Sequence, residues 1–128
     1  MVLEMVHTDQ APAAIGPYSQ AIKVDRWLFV SGQIGLLPAT GQLADDDLAG
    51  QARQALRNVH RILETAGYRL ADVVSVDMFL EDIGQFAILN GIYEEFFAGH
   101  KPARAVVGVN GLPRGALIEI KCVAYKSI

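Results

Sequence analysis

The strongest constraint on the fold lies near the C-terminal end, where Ala116 to Tyr125 read ALIEIKCVAY, a strict alternation of period two. Successive side chains of a strand point to opposite faces. Ile118, Ile120, Cys122 and Ala124 therefore share one face, and Leu117, Glu119, Lys121, Val123 and Tyr125 share the other. The first face is wholly apolar and must be covered. The second mixes charged and apolar groups. Burial of one face only is the mark of a sheet that carries its helices on a single side.

Two segments supply those helices. From Gln51 to Ala66 the apolar residues Ala55, Leu56, Val59, Ile62, Leu63 and Ala66 recur at spacings of three and four, which makes one stripe on a helix. Asp45, Asp46 and Asp47 stand just ahead, where a carboxylate caps free backbone N–H groups, and Gly67 follows as a stop. The second helix is predicted from Ile83 to Ala98, with Phe86, Leu89, Ile92, Tyr93 and Phe96 on its apolar face, Asp82 as cap and Gly99 as stop. Strands are expected at Ser19 to Val24 and Trp27 to Ser31, joined as a hairpin by an Asp25-Arg26 turn, and at Val73 to Leu80. The β-branched run Ala105 to Val109 is expected to be a strand buried on both faces. The predicted order is β-β-α-β-α-β-β, an α+β fold with a single β-sheet and two helices packed on one face. Leu117 and Val123, beside Glu119 on the uncovered side, predict a closed, symmetric oligomer.

The chain has 128 residues, the size of one domain spanning 1–128. With 52% apolar and 20% charged residues it belongs among folded chains, not disordered ones. A net charge of −3 excludes a nucleic-acid binder that draws its affinity from phosphate contacts. No apolar run approaches the length of a membrane span, and the first residues lack the pattern of a secretion signal, so no membrane partner is expected. A lone cysteine, Cys122, fits a reducing cytoplasm.

Familiar cofactor and metal signatures are absent: there is no GxGxxG, phosphate-binding loop, CxxC or HExxH. His7, His60 and His100 are scattered, and neither a metal nor an organic cofactor is expected. Four places remain where chemistry could reside. Arg104 opens an apolar strand after Pro102-Ala103, and a guanidinium fork there suits a carboxylate, although arginines at such positions are more often simply solvated. Glu119 lies mid-strand between isoleucines, where a partly buried carboxylate can act as a base toward water, or can merely pair with Lys121. Tyr18 follows the Gly16-Pro17 turn and could orient a ligand, or be an ordinary half-buried tyrosine. Ser31 and Gly32 end a strand, where a glycine lets backbone approach a ligand or simply forms a bulge. Cys122 reads as a small core residue and the Asp45 to Asp47 run as a helix cap.

Five stretches in order, APAAIGPYSQAI, LFVSGQIGLLPATGQL, QARQALRNVHRILETAG, PARAVVGV and LPRGALIEIKCVA, resemble the Rid (YjgF/RidA) family of enamine/imine deaminases, some of whose members are labelled endoribonucleases. The resemblance covers nearly all of the chain from Ala11 onward. It implies a chorismate-mutase-like fold and a homotrimer whose sheets line a central barrel, with sites in the clefts between subunits. It also implies hydrolysis of reactive 2-enamine or 2-imine intermediates, such as 2-aminoacrylate, to 2-keto acids and ammonia, without a cofactor. By the same resemblance Arg104 holds the substrate carboxylate and Glu119 the attacking water. Tyr18, Ser31 and Gly32 contact the ligand, and Val106 offers its backbone N–H where many relatives carry a cysteine. Lys121 replaces a second glutamate, and the loop from Ala98 to Lys101 is short, which bears on substrate range. Two other functions fit the same residues: a deaminase for a larger substrate such as 2-aminomuconate, with Lys121 or Arg114 as second cation, and a non-enzymatic 2-keto acid binder.

Overall fold

A computed structural model of the chain describes residues 2–127. Eight elements follow one another: β1 Leu3–Val6, β2 Ala21–Val24, β3 Trp27–Gln33, α1 Leu48–Thr65, β4 Val73–Leu80, α2 Phe86–Phe97, β5 Ala103–Gly108 and β6 Ile118–Tyr125. All strands join one sheet in the order β1-β2-β3-β6-β4-β5. Every pairing is antiparallel except β4 with β5, a parallel pair whose crossover contains α2. This is the α+β sheet with two helices that the alternation in β6 demanded.

The two faces of β6 divide as expected. Ile118, Ile120, Cys122 and Ala124 are buried, and they form one core with Leu28 and Val30 of β3, Val76, Met78 and Leu80 of β4, and the α1 stripe Leu56, Val59, Ile62 and Leu63. Helix α1 starts at Leu48, three residues earlier than its apolar period indicates, because Asp47 caps it by accepting from the Gly50 N–H at 2.8 Å. Asp82 likewise accepts from the Gly84 N–H, but it opens a single 3-10 turn, Ile83–Gln85, ahead of α2. Ala98 in the left-handed region and Gly99 at φ +97 end that helix.

Three expectations are corrected. Strand β1 stands ahead of the predicted first strand; its four residues LEMV are mostly exposed and carry little pattern. The strand expected from Ala105 runs Ala103–Gly108 and is not buried on both faces: it pairs only with β4, forms the sheet edge and is largely exposed. Phe86, assigned to the apolar face of α2, remains 38% exposed.

The face away from the helices carries Trp27 and Phe29, whose exposed rings are 6.5 Å apart, with Trp27 also 4.7 Å from the Tyr125 ring. Glu119 points to this side, opposite Phe79 of β4. Cys122 lies on the other side in the core, where burial pushes its thiol up to about 12. It is a packing residue, as its position in the alternation indicates.

Candidate active site

The site grows from a fault in the ladder between β3 and β6. Val30 pairs with Cys122 and the next partner pair is Gln33 with Ile120, so Ser31 and Gly32 together face the single residue Lys121. This is a β-bulge, which redirects the side chains around it. Gly32 is needed there for a steric reason. A Cβ at this position would lie 2.7 Å from Oε2 and 2.8 Å from Cδ of Glu119. The carboxylate of Glu119 therefore packs against bare backbone.

That carboxylate forms one wall of a cleft of about 280 Å³, to which Tyr18, Gly32, Gln33, Ile34 and Arg114 also contribute. Among the described residues Glu119 makes no ion pair and its side chain accepts no hydrogen bond, so the pairing with Lys121 considered above does not form. Its oxygens face the cleft with their lone pairs free for water or a substrate N–H.

Buried amides hold the cleft walls in place. Gln20 accepts from the Thr8 N–H at 2.7 Å and donates to the Thr8 and Pro12 carbonyls at 3.0 and 2.8 Å, which fixes the segment leading to Tyr18. Asn58 of α1, fully buried, donates to the Ile34 and Leu36 carbonyls at 3.2 and 2.9 Å and fixes the opposite wall. Gln51 accepts from the Leu117 N–H at 2.8 Å, just before β6. Arg114, at φ 62, donates to the Gly41 carbonyl at 2.9 Å. None of these amides was singled out from the sequence. Gln51 and Asn58 are spaced with the apolar stripe of α1, and polar residues at stripe positions were the available signal.

The structure brings together only part of the predicted set. Tyr18, Gly32 and Glu119 share the cleft. Ser31 neighbours it, but its hydroxyl donates to the Ser19 carbonyl, so it ties the bulge to the Tyr18 segment. Arg104 and Val106 lie elsewhere. Arg104 is opposite Val76 in β4, which in turn is opposite Cys122, so its side chain leaves the sheet on the helix side, away from Glu119. There its Nη1 donates to Oδ1 of Asn90 at 2.7 Å, a partner the sequence reading missed. His100 bonds the Val73 carbonyl at 2.7 Å and so fastens the loop before β5 to the start of β4. Among the described residues no group of three or more His, Cys, Asp or Glu is placed to hold a metal.

A sequence profile described as endoribonuclease L-PSP matches residues 8–126. The chain belongs to this family. The chain is similar to a RutC family protein of Pyrococcus horikoshii, 49% identical over 123 residues, which span 96% of this chain and 98% of that one. The human protein named 2-iminobutanoate/2-iminopropanoate deaminase is 45% identical over 126 residues, or 98% of this chain and 92% of its own. The crystal structure of the YjgF gene product of E. coli superimposes with a TM-score of 0.93 at 42% identity, covering 97% of this chain and 99% of that one. The fold and the Rid resemblance drawn from the sequence motifs are thus both borne out.

Proposed function

We propose that this family member is a hydrolase that converts reactive 2-imino acids, and the enamines that tautomerise to them, into 2-keto acids and ammonia. Near full-length identity to proteins named 2-iminobutanoate/2-iminopropanoate deaminase supports the reaction class. The observation that carries the chemistry is the Glu119 carboxylate, without an ion-pair or hydrogen-bond partner among the described residues, resting on Gly32 at the side of the Tyr18 cleft.

Water held by Glu119 attacks the imine carbon while the carboxylate takes its proton. The C=N π pair moves onto nitrogen, which receives that proton back from Glu119. The amino alcohol then passes its hydroxyl proton to nitrogen through the same carboxylate, the C–N bond breaks to release ammonia, and the carbon keeps the water oxygen as its keto group. Positioned proton transfer of this kind contributes on the order of 10²–10⁴-fold. The substrate carboxylate needs a cation, and Arg104 on the edge strand is the fork we assign to it, with the Val106 backbone N–H alongside. Arg104 leaves its own sheet on the side opposite Glu119. On this reading the arginine over any one cleft comes from a neighbouring copy, and the family resemblance makes the working unit a homotrimer with three such seams. Tyr18 orients the substrate, and Ser31 holds the Tyr18 segment against the bulge. A reducing compartment such as the cytoplasm suits the single buried thiol. Among the described residues no helix is long and apolar enough to cross a membrane.

The test couples purified protein to a pyridoxal-phosphate dehydratase that makes imines from serine or threonine, with keto-acid formation as readout. Arg104→Ala is expected to abolish both 2-keto acid binding and deamination. Glu119→Ala is expected to keep binding and to slow turnover on the order of 10²-fold or more. Deamination at the wild-type rate by Glu119→Ala rules out Glu119 as the base, whereas 2-keto acid binding by the wild-type protein without any deamination leaves a keto-acid binder.

A further inference from the structure

Residues 86, 90 and 93 follow spacings of four and three, so on an α-helix they lie one above another on a single stripe. In α2 that stripe is Phe86, Asn90 and Tyr93, and Arg104 lies along it. The guanidinium carbon is 4.9 Å from the Tyr93 ring centroid and 5.5 Å from that of Phe86, and Nη1 donates to Asn90 at 2.7 Å. Both distances fall within the range where a ring face attracts a cation. The asparagine takes one N–H of the fork and leaves the others for a ligand.

Two details set Tyr93 and Phe86 apart from ordinary packing residues. Phe86 is 38% exposed, although the apolar periodicity of α2 assigns it to the core side; its contact is with the guanidinium. Tyr93 is buried, yet among the described residues its hydroxyl has no hydrogen-bond partner. A buried hydroxyl without a partner costs stability, so the side chain is present for its ring. Burial pushes this phenol up, and the positive Arg104 guanidinium over its ring opposes that shift.

We infer that the Phe86 and Tyr93 rings form an aromatic platform that fixes the plane and direction of the Arg104 fork, and so set the affinity for the substrate carboxylate. Both rings are positioning residues: they act through Arg104 and do not touch substrate. The inference rests on the assignment of Arg104 to the carboxylate. An arginine on an edge strand otherwise loses side-chain entropy on binding, and a platform that holds it beforehand removes that loss. Lysine lacks the planar, stacking cation that such a platform recognises.

The test uses the full-length protein, the dehydratase-coupled assay and calorimetry with 2-oxobutanoate. Because the carboxylate is gripped in ground and transition states alike, Phe86→Leu is expected to raise KM and the 2-oxobutanoate Kd roughly three- to thirtyfold with kcat nearly unchanged. Tyr93→Phe keeps the ring and is expected to match wild type, whereas Tyr93→Leu behaves like Phe86→Leu. In an Arg104→Lys background, Phe86→Leu is expected to add little further loss, since the rings act through the guanidinium. Phe86→Leu with wild-type KM and Kd overturns the platform, as does full additivity with Arg104→Lys or a loss in Tyr93→Phe equal to that in Tyr93→Leu. If Arg104→Ala itself binds 2-oxobutanoate normally, the assignment of Arg104 fails first.

Discussion

At the scale of single residues, the site depends on an absence, the missing side chain at position 32. The sequence marked Gly32 as a place where backbone approaches a ligand closely; the group it admits is the protein's own Glu119 carboxylate. Gly32→Ala forces that carboxylate to swing aside. The contact is with the end of a flexible side chain, so folding should suffer by no more than about 1 kcal/mol. Displacement of the base by roughly 1 Å is expected to lower kcat on the order of 10²-fold. A thermal melt beside a steady-state assay checks both halves, and normal kcat would show that Glu119 needs no support from the bulge. Asn90 was hidden from sequence reasoning for a plain reason. A polar residue in an amphipathic helix is normally solvated, and only the later position of Arg104 in the sheet gives this one its partner.

At the scale of elements, legibility followed locality. Period two in β6 and periods of three and four in α1 follow from burial on one face, so both were readable, and Val73–Leu80 emerged with its bounds intact. A bulge at Ser31-Gly32 was one of the readings the glycine allowed, but the choice between it and a ligand contact was not readable, because it depends on the register between β3 and β6, about ninety residues apart in the chain. The burial of β5 was misjudged because a β-branched run looks alike in the middle of a sheet and at its edge. Buried amides are the other long-range feature. Asn58 joins α1 to the Ile34 and Leu36 carbonyls across the cleft wall. Asn58→Ala strands those acceptors and is expected to cost about 2–3 kcal/mol in urea unfolding, with a smaller loss of activity as the wall loosens. A change under 0.5 kcal/mol would mean that the loop is held by its own turns.

At the scale of the whole molecule, the sheet has one face covered by helices and another that displays Trp27, Phe29 and Val107. Apolar area of that kind is normally covered by a partner, and the proposed trimer covers it with copies of itself. Phe29 is 47% exposed, so Phe29→Asp should leave the protomer folded while placing a charge in the shared face. Light scattering on a sizing column is expected to show monomers, and deamination should vanish although Arg104, Glu119 and Tyr18 are all unchanged. An active monomer would separate the reaction from assembly. The placement of Arg104 and Glu119 on opposite sides of one sheet has a further consequence on this reading. Each seam takes its arginine from one copy and its glutamate from the next, so specific activity becomes a measure of association: dilute the protein below its assembly constant and the reaction stops while every protomer stays folded, and concentrating the same sample restores it.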